Sequence, residues 1–358
     1  DNTPAGYLVR YSYSNEDGTF EINSFEATGL SINFHDVYGV SENSVYTISF
    51  MGEIYHYNGE ELSIEKEFDY SQLADTDPVI LLSINGDGTN DNVFAVGVRI
   101  NPGVDFQLSD LLQVISDVSL DGILGLIDFK TTELNSVLYQ RVVNDDDTIS
   151  WVEVINSPPA LVKEIYVDNG VLYAPALDGV IYQHNINDLE TNPSWSEIES
   201  GTFLPLLSMD KIGNDIYAAG TSLMKQNNDG TWDHVSPPLS FLMMNELNPN
   251  LFFLDMVGSE DNIYLNGNGL QHYDGSTWTN SIHSNNLFTS IWIDNQNNKL
   301  NILDKDGLIQ EFGCNPNQFC DSYYDNLNDH YYKSACFNNE CDISSDCSDG
   351  EVCHAGKC

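Results

Sequence analysis

One pattern of residues recurs in five stretches of this chain: an apolar strand, a turn, a Tyr-bearing strand, a Gly turn, a third strand and, in several copies, Asp-Gly and Trp. The clearest copies run from Asp36-Val-Tyr-Gly to Tyr57-Asn-Gly59 and from Asp255-Met-Val-Gly to Gly275-Ser-Thr-Trp278. Short strands repeating every ~40 residues predict an all-β β-propeller, because one four-stranded blade cannot bury both faces until neighbours stack on it.

First strands fall near Val37, Val79, Glu164, Met209, Leu254 and Ser290. Six blades are expected, with seven as the alternative if the long interval from Val79 to Glu164 hides a further copy. Strands at Val79–Ile84, Val93–Arg99, Val137–Val143 and Trp151–Ile155 make one complete blade and leave about 100–135 as an insertion. Leu108, Leu111, Leu112, Ile115 and Val118 recur there at helical spacing, which predicts a helix packed on the propeller or a contact surface for another protein. The opening strands, Gly6-Tyr-Leu-Val-Arg-Tyr-Ser12 and Phe20-Glu-Ile-Asn-Ser-Phe25, are expected to complete the last blade and so close the ring.

With 55 acidic against 12 basic residues the formal charge is −43, yet 41% of the chain is hydrophobic. The acidity therefore belongs to the surface of a folded domain rather than to a disordered tail. Such a surface repels phosphate backbones and anionic lipid, so nucleic-acid and membrane-surface partners are excluded. No apolar run reaches the length that spans a bilayer. Asp1-Asn-Thr-Pro has the look of a mature N-terminus left after a signal peptide is removed.

All seven cysteines lie in the last 45 residues: Cys314, Cys320, Cys336, Cys341, Cys347, Cys353 and Cys358. Clustering of this kind in a short polar segment points to disulfides in place of a hydrophobic core, and hence to an oxidising, secreted or cell-surface location. A structural zinc site is the alternative, with His354 as a further ligand, but no C-x2-C pair is present. The chain thus reads as a propeller over 1–313 and a disulfide-stapled tail over 314–358.

Three resemblances add to this. The repeat V-x-G-x-S…V-Y…G-x-I-x-H-Y-x-G, best formed at Asp36–Gly59, resembles the propeller repeats of large secreted and surface bacterial proteins, a scaffold class with varied ligands and no catalytic residues to transfer. The segment Cys341–Cys358 resembles the small secreted C-x5-C-x5-C-x4-C motif. That likeness implies a self-contained knot of two disulfides, leaving Cys314, Cys320 and Cys336 to supply one bridge and one free thiol. The stretch Ser83-Ile-Asn85-Gly-Asp87-Gly-Thr89-Asn-Asp91 resembles the FG-GAP or integrin-type calcium loop, with Ser83 where that family has Asp. Calcium takes six to eight hard oxygens, so Ser83, Asn85, Asp87, Thr89 and Asp91 are its expected ligands; an ordinary Asn/Asp/Gly turn is the other reading.

His56, His184 and His272 recur on comparable third strands, so repetition accounts for them better than catalysis. Tyr57, Trp195, Trp232, Tyr273 and Trp278 are expected to pack between sheets unless one propeller face exposes them to sugars. There is no G-x-S-x-G elbow, P-loop or H-E-x-x-H. The expectation is a non-catalytic extracellular module, on a cell surface or in a filament or matrix, that contacts other proteins or copies of itself. A carbohydrate-binding propeller is the alternative, and a glycan-active hydrolase or lyase a third.

Overall fold

The computed structural model describes residues 7–13, 20–26, 34–49, 52–68, 79–100, 134–189, 191, 194–235, 253–259, 262–294, 299–304, 309–313, 318–324 and 332–338. Apart from one short 3-10 turn, the regular elements among the described residues are strands. β1 (Tyr7–Tyr13) and β2 (Phe20–Glu26) form a two-stranded sheet. The first four-stranded sheet holds β3 (Phe34–Ser41), β4 (Ser44–Ser49), β5 (Ile54–Tyr57) and β6 (Leu62–Lys66). The second holds β7 (Val79–Gly86), β8 (Val93–Ile100), β9 (Leu134–Val143) and β10 (Ile149–Glu153). The third holds β11 (Tyr166–Asp168), β12 (Val171–Pro175), β13 (Val180–Asn185) and β14 (Ser196–Glu199).

The fourth sheet comprises β15 (Leu206–Ile212), β16 (Asp215–Gly220), β17 (Leu223–Gln226) and β18 (Trp232–His234). The fifth has five strands: β19 (Phe253–Ser259), β20 (Asn262–Tyr273), β21 (Trp278–Asp294), β22 (Lys299–Asp304) and β23 (Ile309–Gly313). β24 (Gln318–Tyr324) and β25 (Tyr332–Asn338) pair with each other. The chain divides into two compact units, one of Asp1–Leu112 with Gly125–Leu206 and one of Gln113–Leu124 with Leu207–Cys358.

Among the described residues five blades therefore stand where six, or alternatively seven, were expected. The difference lies in β21, which pairs with β20 up to Leu287 and with β22 from Phe288 onward, so the copies anticipated at Leu254 and Ser290 join in one sheet. The opening strands β1 and β2 pair with each other. The helical insertion expected over about 100–135 falls almost wholly outside the described residues. The described residues contain no α-helix, only a 3-10 turn at Ile186–Asp188, and 101–133 lie outside them.

Each strand alternates its side chains between two faces, and in the second sheet both faces are buried. Val93 and Ala95 join Tyr46, Ile48 and Ile54 of the first sheet in one core; Phe94 and Val96 join Leu172, Ala174 and Tyr182 of the third in another. In the second unit, Ile212, Tyr217 and Leu223 pack against Met256, Ile263 and Leu265 in the same manner. This layering of sheet on sheet is why neighbouring copies need one another.

Turn chemistry repeats with the blades. Asn169 and Gly170, both at positive φ, form the two-residue connection from β11 to β12 that Asn-Gly favours. In the β17–β18 turn, Gly230 donates its N–H to Asn227 O while Asp229 accepts from the backbone and hydroxyl of Thr231. The β9–β10 turn has the same bonds, with Asn144, Asp146 and Thr148 in those places, but Asp147 stands where the other has Gly. Asp147 sits at φ 62, a left-handed conformation that strains a residue bearing Cβ. Asp147→Gly is expected to raise stability by roughly 0.5–1 kcal/mol in urea denaturation, and Gly230→Asp to lower it comparably. A loss on Asp147→Gly would mean that its carboxylate, not the backbone, decides the turn.

Candidate functional site

The candidate calcium loop connects β7 to β8, and its residues point to different tasks. Ser83 is buried and hydrogen-bonds Asp36 on β3. Asn85 Oδ1 accepts the N–H of Gly86. Asp87 Oδ1 accepts from both the N–H (3.0 Å) and the hydroxyl (2.6 Å) of Thr89, and its Oδ2 from Asn92 Nδ2 (2.6 Å). Asp91 is exposed. Among the described residues no three His, Cys, Asp or Glu side chains gather as a metal cage. As arranged, Asp87 accepts three bonds from within its own loop, and Ser83 serves Asp36.

The loop is instead fastened from the first sheet. Gly88 N–H donates to Tyr38 Oη, while Asn90 Oδ1 accepts from Ser44 Oγ (2.6 Å) and Tyr46 Oη (2.9 Å). Arg141 Nη1, on β9, donates to Asn90 O. Asn90 thereby connects the loop to a half-buried polar network that sequence reading missed. At its centre Glu65, on β6, accepts two parallel bonds from Arg141 (Nε to Oε2 and Nη2 to Oε1, both 3.0 Å) and a third from Trp151 Nε1. His56 Nδ1 lies 3.1 Å from Glu65 Oε1, and its ring stacks on Tyr46 at 4.3 Å.

Burial alone would raise the Glu65 carboxyl, but hydrogen bonds from His56, Arg141 and Trp151 outweigh it and hold the group at about 2. Ser44 Oγ stands 2.9 Å from His56 Nε2, so Ser44, His56 and Glu65 are connected as nucleophile, base and orienting acid are in hydrolytic triads. Here Ser44 is only 6% exposed and its hydroxyl hydrogen is directed at Asn90, so the same connectivity serves to join two sheets.

The remaining sequence candidates are absorbed by packing. His272 stacks on Tyr264 as His56 does on Tyr46, and His184 meets the edge of Trp195. Tyr57 is buried, with its hydroxyl on Gly59 O; Tyr273 bonds Gly275 O in the same way. Trp195 Nε1 donates to Asn156 O, Trp278 Nε1 to Val235 O, and Trp232 is buried. These rings are engaged by the protein itself. Of the cysteines, Cys320 lies on β24 and Cys336 on β25; the other five are outside the described residues.

First strands carry a second feature, an aspartate at the repeat's opening position. Asp36 accepts from the N–H groups of Val37 and Ile84, which ties the first sheet to β7 of the second, and Asp255 from those of Met256 and Ile291, which ties β19 to β21 within the fifth sheet. Burial raises Asp36 to about 6 against these bonds. It raises Asp210, on β15, to about 7, with the nearby charge of Asp255 adding to burial and the Lys211 N–H opposing it.

A pH profile follows. Raised carboxyls destabilise the fold when ionised, so stability should grow as pH falls through about 7 and 6 toward the ordinary Asp value near 3.8. Glu65, held low, contributes above its ordinary 4.5 and loses that contribution as pH falls toward about 2. Melting across pH should therefore show a maximum near about pH 4–5. Because Asp36 and Asp210 are partly open to water, each accounts for only ~1–2 kcal/mol of the alkaline limb. Asp210→Asn should flatten that limb, and stability rising from weakly acidic to neutral pH would contradict the assignment.

Neither a family model nor a curated protein matches the sequence. Solved structures do match. The extracellular domain assigned to a one-component system of B. thetaiotaomicron aligns over 83% of this chain with a TM-score of 0.51 and 14% identity. The chain spans about a third of that protein's length, 34%. The C-terminal WD40 domain of Sif2 aligns over 87% of this chain and 76% of its own length, with a TM-score of 0.50 and 11% identity. The fold is a β-propeller. At these identities the likeness extends to the fold alone, and no helix among the described residues is long and apolar enough to cross a membrane.

Proposed function

We propose that this chain is a non-catalytic interaction module of an extracellular or cell-surface assembly, contacting other proteins or further copies of itself through its propeller. The observation that carries this reading is the exposure of large apolar side chains of the first unit in the segments that follow β10 and β14. Ile155, leading from β10 toward β11, is 88% exposed, and Phe203, leading from β14 to β15, is 85% exposed with Leu204 beside it. In up-and-down four-stranded sheets both connections leave from the same end. Exposed apolar side chains on an otherwise very acidic chain are suited to a partner rather than to water. The extracellular setting of one structural neighbour and the clustered cysteines support the location.

Light scattering over a salt series tests the reading. The charge of −43 opposes self-association, so intact protein should associate increasingly as salt screens it, and Ile155→Glu with Phe203→Glu should abolish the effect. A monomer at every salt concentration, indifferent to the double substitution, would favour the carbohydrate-binding alternative; the hydrolase or lyase reading has no comparable support. Calcium is examined in parallel. With Asp87 satisfied by its own loop, millimolar calcium against a chelator is expected to leave the melting temperature unchanged, and a calcium-dependent rise abolished by Asp87→Asn would reinstate the metal.

A further inference from the structure

The tail strands β24 and β25 pair in antiparallel register from Gln318↔Asn338 to Tyr324↔Tyr332, and the register sets Cys320 directly opposite Cys336. Opposed residues in such a pair have Cα atoms about 4.5 or 5.5 Å apart, depending on whether they exchange hydrogen bonds. Disulfides require roughly 4.4–6.8 Å between Cα atoms, a range that both kinds of pair meet. A one-residue slip would place the two cysteines on opposite faces of the ribbon, where no bridge can form.

We infer that Cys320 and Cys336 form a disulfide across β24 and β25. The sequence alone leaves six or seven cysteines pairable in many ways; the register selects one partner for each of these two. Formation is a thiol–disulfide exchange with a disulfide oxidant. One cysteine thiolate attacks a sulfur of the oxidant and expels one of its thiolates. The second cysteine then displaces the other, so that two protein thiols are oxidised and one oxidant disulfide is reduced to two thiols. The bridge pins the register of a two-stranded ribbon, which is marginal in water without such a staple. Together with the four-cysteine module that Cys341–Cys358 resembles, it makes Cys314 the odd residue.

Peptide mapping of the full, oxidised chain decides the matter. After free thiols are alkylated at acidic pH, chymotryptic cleavage at Phe319, Tyr323, Tyr332 and Phe337 separates Cys320 from Cys314 and Cys336 from Cys341. The expected species is Cys320–Tyr323 joined to Lys333–Phe337, lighter by two hydrogens than the sum of its parts and split by reductant. Cys314→Ser should retain it, whereas Cys320→Ser should lose it and expose one additional alkylatable thiol, at Cys336. Linkage of Cys336 to Cys314 or to any of the last four cysteines, or alkylation of both Cys320 and Cys336 in the oxidised protein, overturns the inference.

Discussion

Arg141→Met should destabilise the protein by about 3–5 kcal/mol, the cost of leaving a buried carboxylate without its counter-charge. Arg141 is buried, meets Glu65 through two parallel bonds, reaches Asn90 O and lies over the Tyr46 ring at 5.4 Å. Methionine fills much of the same volume but supplies no donor. Glu65 would then retain only His56 and Trp151, and burial would drive its carboxyl upward. The double variant Arg141→Met/Glu65→Leu should recover a large part of the loss, because removing both charges removes the desolvation they impose. Urea denaturation of the two single variants and the double gives the coupling directly. A loss below ~1 kcal/mol for Arg141→Met would show that water, rather than Arg141, compensates Glu65.

Gly97→Ala is expected to be as damaging, at roughly 3 kcal/mol or outright failure to fold, through backbone sterics rather than charge. Gly97 lies on β8, between strands β7 and β9, and a Cβ built there would sit 2.2 Å from the carbonyl oxygen of Ile80 and 3.0 Å from Leu81 Cα. The pairing of β7 with β8 shifts register between Leu81 and Ser83, and the shifted backbone occupies the space that a side chain would need. Neither neighbour is a flexible tip that can swing aside. Gly39, on β3, is the control: nothing lies within 4 Å of its Cβ position, so Gly39→Ala should change stability by no more than ~0.5 kcal/mol. Equal effects at the two positions in thermal melts would refute the steric account.

The repeat was legible because its marks are local. The second-strand tyrosines Tyr46, Tyr173 and Tyr217 are buried in the cores as period-2 alternation requires, and the opening aspartates Asp36 and Asp255 perform the same bond in two sheets. Blade number was not legible at Trp278–Asp294, because Thr-Asn-Ser-Ile-His-Ser-Asn-Asn has the composition of a loop, yet it belongs to one continuous strand that pairs first with β20 and then, from Phe288, with β22. The loop at 85–91 was legible as a turn but not in its chemistry. Asn90, an unmarked position in the calcium pattern, is the residue that anchors it. Nor does any spacing reveal the network around Glu65: Arg141 and Trp151 follow it by 76 and 86 residues, and only pairing brings them together.

That separation bears on the order in which the chain folds. The hairpins of each sheet join strands through short turns such as Asn169-Gly170, whose ends meet quickly whatever the rest of the chain is doing. Glu65 cannot reach Arg141 until a stretch of 76 residues has been drawn together, and that loop entropy must be overcome before any of its bonds is gained. Individual hairpins should therefore precede the network, which closes late in folding as a lock on two sheets already formed. Substitutions within it would then act mainly by hastening unfolding and leave the rate of folding nearly untouched.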